Sequence, residues 1–263
     1  MASERKLRGR LLRVMNTMSR RFWSFLFFCS AILFQSLGVQ ANVVVGGTRV
    51  VYPAKEREVS VRLTNQGAQP ALVQAWIDAG NPDGKPDDAD VPFIVMPPMV
   101  RIDPGKGQAL RLAYTPQPGI PKDRESVFWL NILDVPPLPS VQTTNHMQLA
   151  FRSRLKVFFR PLELPGSAID TAEQLHWRLV KSATGMALQV RNDGAFHVSF
   201  NTVLLKLKDG RGFKVHSRML APRSTADFAL EQAQGLSGAE GRVVYEWIND
   251  YGATVLQETR LAP

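Results

Sequence analysis

From Asn42 onward the chain alternates apolar and polar positions in short runs broken by Pro, Gly and Asn. Val59, Val61 and Leu63 alternate up to the turn signal Asn65-Gln66-Gly67, and Leu110, Leu112 and Tyr114 alternate again. Residues 71–77 form a β-prone run that ends at Asp78, and further apolar stretches occupy 127–135, 147–159, 186–190, 197–207 and 243–248. A period of two marks strands with one covered face. No 3.6-period stripe of helical length separates these runs, apart from a turn at residues 171–174. Many short strands at close spacing predict antiparallel sandwiches rather than a parallel α/β sheet.

The strand predicted within residues 145–161 (NHMQLAFRSRLKVFFRP) carries the most information. Met147, Leu149 and Phe151 alternate with Gln148, Ala150 and Arg152 before a lysine, an aromatic pair and Arg160-Pro161. If such a strand lies at a sheet edge, its unpaired backbone groups and large apolar side chains invite another chain to pair with it. The alternative is an ordinary sandwich strand facing its own core. Pro161 and Pro165 then bracket Leu-Glu-Leu in a stiff connection that a central strand cannot cross. It divides the chain after residue 41 into about 120 and about 100 residues, each the size of one immunoglobulin-like sandwich.

The N-terminus changes how the charge is read. The formal charge of +9 suggests a nucleic-acid or membrane-surface binder. Residues 1–41, however, hold seven of the 32 basic residues and one of the 23 acidic ones, so the remainder carries only +3. Nucleic acid is therefore not an expected partner. The leader runs from a basic stretch ending at Arg20-Arg21, through an apolar run from Phe22 to Phe34, to small residues at Val39-Gln40-Ala41. This is the layout of a secretory signal peptide cleaved after Ala41. A membrane anchor is the competing reading, but Gln35, Ser36 and Gln40 interrupt the run before it reaches the roughly 20 apolar residues of a span. The basic stretch is longer than export requires, and Met1, Met15 and Met18 all stand as candidate starts. The one cysteine, Cys29, lies inside the leader, so the exported chain has no thiol for a disulfide, a metal or catalysis.

Catalytic constellations are missing. The four histidines (His146, His176, His197, His216) show no zinc-protease spacing, and no G-x-S-x-G, P-loop or G-x-G-x-x-G is present. The acidic stretch 81–90 (NPDGKPDDAD) lacks the order and the terminal glutamate of a calcium loop. No enzyme activity, cofactor or metal is expected, although a hydrolase site assembled from distant residues is not visible in sequence.

The motifs GTRVVYP (47–53), PALVQAWID (70–78), PFIVMPP (92–98), RIDPGKGQALRL (101–112), PKDRESVFWLNILDVPP (121–137), LAFRSRLKVFFRP (149–161) and EWINDYGA (246–253) occur in this order. Together they resemble the periplasmic pilus-assembly chaperones of the chaperone–usher pathway, the PapD-like family. The resemblance spans the whole chain after the leader and is densest from Thr48 to Pro161. It implies an all-β protein of two immunoglobulin-like sandwiches set at an angle around a cleft. The expected boundaries are 1–41 for the signal peptide, 42–160 for the first domain with its donor strand, 161–166 for a linker and 167–263 for the second domain.

Further expectations follow from the resemblance. A donor strand completes pilus subunits that lack their last strand, with Met147, Leu149 and Phe151 entering the subunit groove. Arg49 and Lys156 bind the subunit's C-terminal carboxylate, and Arg111, Glu125 and Asp250 form an interdomain ionic network. The chaperone acts in the periplasm without stable membrane insertion and delivers subunits to an outer-membrane usher. Self-capping of the edge strand in a dimer stays open. The stretch 136–145 before the donor strand, about ten residues, resembles the short-loop subgroup. One departure is Asn192-Asp193-Gly194-Ala195, where many relatives have Asn-Pro-Thr-Pro; it still reads as a turn. The competing reading is an exported structural or adhesive module without chaperone activity.

Overall fold

The computed structural model describes residues 43–86, 90–137, 148–182, 185–230, 236 and 240–262. Among the described residues, nine strands build the first domain: β1 (Val43–Val45), β2 (Arg49–Pro53), β3 (Glu58–Asn65), β4 (Ala71–Asp78), β5 (Phe93–Met96), β6 (Met99–Ile102), β7 (Gly107–Tyr114), β8 (Ser126–Val135) and β9 (Phe151–Arg160). They form one sheet in the order β1-β3-β7-β5 and a second in the order β2-β9-β8-β4-β6. All neighbours among them pair antiparallel except β2 and β9, which run parallel from Arg49↔Lys156 to Pro53↔Arg160.

Alternation places alternate side chains of both sheets into one core, because successive residues of a strand face opposite sides. Val61 and Leu63 of β3, Leu110 and Leu112 of β7, Leu130 and Ile132 of β8, and Leu155, Val157 and Phe159 of β9 are buried together. Tyr52 sits among Phe93, Tyr114 and Phe159 with ring centroids 5.4, 6.5 and 6.0 Å away. Its hydroxyl donates toward the carbonyls of Glu56 and Arg57 (3.2 and 3.0 Å) and accepts from Tyr114 N (3.0 Å), so a fully buried phenol keeps its polar atom satisfied.

The second domain holds a short helix, α1 (Ala168–Glu173), then β10 (His176–Ser182), β11 (Gly185–Asn192), β12 (Phe200–Leu207), β13 (Gly212–Val215), β14 (Ser224–Ala229), β15 (Gly241–Ile248) and β16 (Thr254–Arg260). Its sheets run β10-β11-β14 and β13-β12-β15-β16. Trp177, Phe200, Phe228 and Tyr245 pack edge-on and tilted at the centre. The Tyr245 hydroxyl donates to Ala172 O (2.6 Å), and burial pushes its pKa up to about 12. Helix α1 covers the turn expected at 171–174 and is capped by Ser167, whose hydroxyl accepts from Asp170 N (3.1 Å).

Each domain uses one buried asparagine to hold a turn. Asn65 donates to Gln69 O and Ile102 O and accepts from Gly67 N, and Asn192 donates to Phe196 O and Ala221 O and accepts from Gly194 N. The Asp-Gly turn of the sequence is therefore real, and its glycine is dictated by space. A Cβ on Gly194 would lie 2.4 Å from Thr171 Oγ1.

Candidate functional site

The free edge of the larger first-domain sheet lies halfway along β9. On one side β9 pairs with β8 from Phe151↔Asp134 to Phe159↔Ser126. On the other side β2 covers Lys156 to Arg160, and, among the described residues, 151–155 have no strand neighbour there. The core-facing stripe Leu155, Val157 and Phe159 is buried, yet its continuation is not: Phe151 is 46% exposed and Leu149 58% exposed. An apolar stripe that outruns its own core, beside a strand edge with no described neighbour, is the kind of surface on which another chain can pair. Met147 lies outside the described residues.

At the point where β2 joins β9, Arg49 and Lys156 are register partners. Both reach the second domain. Arg49 Nη1 donates to Ile248 O (2.8 Å), Lys156 Nζ donates to Ser199 Oγ (3.2 Å), and Ile248 N donates to Ser199 O (2.9 Å). The Arg49 guanidinium also stands 5.6 Å from the Phe158 ring centre, and its Nε is buried with no hydrogen-bond partner. Among the described residues neither cation has a carboxylate within ion-pair distance. Burial lowers the pKa of Lys156, and the neighbouring Arg49 lowers it further. Burial also lowers Arg49, against a smaller opposing pull from Asp250 and Glu125. Two partly desolvated cations side by side make a site whose electrostatic cost an anion would relieve.

A second ionic cluster joins the domains, and here the sequence expectation needs correction. Glu125 and Asp250 are part of it, but Arg111 is not. Arg160 Nε donates to Glu125 Oε2 (2.8 Å), and its two Nη atoms each donate to one Asp250 oxygen (2.7 Å). Burial alone would lower the Arg160 pKa, but its bonds and charges toward Asp250 and Glu125 hold it above the ordinary value. Glu125 Oε1 accepts from the His197 backbone N (2.9 Å) and lies 2.7 Å from His197 Nδ1. Arg111 belongs to the other sheet, on β7 between the inward-facing Leu110 and Leu112, so it points to solvent, and its ion-pair partner among the described residues is Glu58 at 3.8 Å. The signal for Arg160 was available, since it lies four residues after Lys156 and shares its strand face. Ser199 and His197 carried no such signal, because the turn that brings them to the first domain depends on tertiary contacts.

Two family models match the chain. One, described as a pili and flagellar-assembly chaperone, PapD N-terminal domain, covers residues 42–165. The other, pili assembly chaperone PapD, C-terminal domain, covers residues 170–259. The chain belongs to this family. A probable fimbrial chaperone, YadV, of Escherichia coli (strain K12) is 37% identical over 239 residues, covering 89% of this chain and 95% of that protein. A YadV chaperone crystal structure superposes with a TM-score of 0.72 at 37% identity, over 84% of this chain and all (100%) of the other. The Pseudomonas aeruginosa CupB2 chaperone gives 0.68 at 42% identity, over 83% and 100%. The structure of Salmonella enterica SafA pilin in complex with the SafB chaperone gives 0.69 at 25% identity, over 84% and 97%. The expected fold, two immunoglobulin-like sandwiches, agrees with these neighbours.

Proposed function

We propose that this chain is a non-catalytic periplasmic chaperone of fimbrial assembly, which lends the free half of β9 to an incomplete pilus subunit and passes the subunit to an outer-membrane usher. The observation that carries this reading is the exposed Leu149–Phe151 stripe, running along an edge with no neighbour among the described residues into the Arg49–Lys156 pair. Leu149 and Phe151, with Met147 ahead of them, fill the subunit groove. Burying each contributes about 1.5–3 kcal/mol before ordering costs. Arg49 and Lys156 accept the subunit's terminal carboxylate and so fix the register of the added strand. Residues 1–41 are the export signal, removed before the chain acts. Among the described residues no helix is long and apolar enough to cross a membrane.

The exposure of Leu149 and Phe151 weighs against a self-contained structural module, which would cover that stripe with its own chain. Co-purification from periplasm decides the matter. The wild-type chain is expected to bring down a pilin-like subunit in about equal amount, and the Arg49→Ala form far less. Recovery of the wild-type chain without any subunit, from cells that express fimbrial subunits, would overturn the proposal.

A further inference from the structure

The face of β9 opposite the Leu149–Phe151 stripe carries a polar cluster with no part in the cation pair. Its hub is Asn131 of β8, the register partner of Arg154 on β9 and of Trp76 on β4. Asn131 lies on the outward face of the sheet and is nevertheless fully buried, at 0% exposure. Its carbonyl oxygen accepts three bonds, from Arg152 Nε (2.9 Å), Arg152 Nη2 (2.7 Å) and Arg154 Nε (3.0 Å). Its amide donates to Asp78 Oδ2 (2.6 Å), and Asp78 also receives Arg154 Nη2 on both oxygens (2.8 and 3.0 Å). Arg152 Nη1 reaches beyond the sheet to Pro82 O (2.7 Å). The two guanidinium groups lie over Trp76 and Trp129, 4.9 and 5.6 Å from the ring centres.

These bonds fall on the stretch of β9 that, among the described residues, has a ladder on one side only. A strand with a single neighbour opens locally at low cost, and a disordered donor segment would have to be ordered at the moment of docking. Arg152 and Arg154 counter this from the face that a subunit does not need. Each guanidinium is a planar fork with several fixed donors, and the shared acceptor on Asn131 uses that geometry as well as the charge. We infer that Arg152 and Arg154 are positioning residues, which clamp the free half of β9 to β8 and β4 through Asn131 and Asp78 so that Leu149 and Phe151 are presented on an already ordered strand. The inference rests on the donor-strand reading above, and it adds what keeps that strand in place.

The alternative role for the cluster is general stability of the first domain, and hydrogen exchange on the lone chain separates the two. In Arg152→Lys, and in the Arg152→Lys/Arg154→Lys double variant, charge and aliphatic stem remain over the tryptophans while the forked bonds to Asn131 are lost. Exchange of the backbone amides of residues 151–155 should rise about tenfold, with those of 156–160 and of β3 and β7 unchanged. Capture is then measured with the pilin-like subunit that co-purifies with the wild-type chain, unfolded in denaturant and diluted into the chaperone. The association rate should fall several-fold while the dissociation rate of the finished complex stays the same. Unchanged exchange at 151–155, a uniform rise across the domain, or faster local exchange with an unaltered association rate would each overturn the clamp. Leu149→Glu is measured beside these variants. Normal capture by that form defeats the donor-strand reading, and the exchange pattern of the lone chain still decides whether the clamp exists.

Discussion

Arg49 and Lys156 are direct partners in the parallel β2–β9 register, and each is tied to the second domain, Arg49 through Ile248 O and Lys156 through Ser199 Oγ. Two like charges are thus held together by both domains at the place where the free edge of β9 begins. Burial and the repulsion from Arg49 both disfavour the charged lysine. The arrangement makes sense as an anion seat at the start of a donated strand. Arg49→Ala and Lys156→Ala should each leave the melting temperature of the lone chain nearly unchanged. Each should weaken subunit capture by about 2–5 kcal/mol, the range for truncating one side of a buried charge pair. Titration calorimetry or a capture assay checks this, and wild-type affinity in both single variants would remove the carboxylate seat.

The same pair gives a pH signature with opposite signs for folding and binding. In the free protein the Lys156 pKa lies below its ordinary value of 10.5, so between the two the unfolded chain binds more protons than the native one. Stability from this group therefore rises with pH across that window. A bound carboxylate favours the protonated lysine, so subunit affinity should fall as pH climbs through the lowered pKa. Affinity measured from neutral to alkaline pH should decline in the wild type and be flat in Lys156→Met. An equal decline in both would locate the titrating group elsewhere.

Leu149 tests whether the exposed stripe is a docking surface. At 58% exposure it supports no core, so Leu149→Glu should change the melting temperature of the lone chain by little. In the complex the new charge would face an apolar groove without a partner, and capture should be lost. A collapse of the melting temperature in the absence of subunit would mean that the stripe packs on its own chain.

Much of this was readable from the chain. Alternation located β3, β7 and β9 because their inward residues are large and regularly spaced, apolar runs located β4, β8, β11, β12 and β15, and the family motifs pointed to Arg49 and Lys156. What stayed hidden had physical reasons. β16 alternates only between exposed and half-exposed residues, so it carries no hydrophobic period. β5, β6 and β13 span four residues each, too few to display one. Helix α1 owes its place to Ser167 and to Tyr245 rather than to an apolar stripe. The choice of Arg111 over Arg160 failed on sidedness. A charged residue between two buried leucines of a sandwich strand must face outward, whereas Arg160 lies on the face that Lys156 already marks.

That correction has a measurable consequence. Glu125 is almost completely buried, with its side chain 1% exposed, and Arg160 is its only arginine partner among the described residues. Arg160→Ala would leave that carboxylate facing His197 alone and Asp250 without its paired bonds, which should destabilise the chain by about 3–5 kcal/mol. Arg111→Ala removes a long, solvent-exposed contact to Glu58, worth at most about 1 kcal/mol. Chemical denaturation of the two variants should therefore differ clearly. The Arg160 form should also lose its coupling between domains, seen as two separate unfolding steps where the wild type shows one. Equal, small effects from both substitutions would show that the interdomain junction does not depend on Arg160.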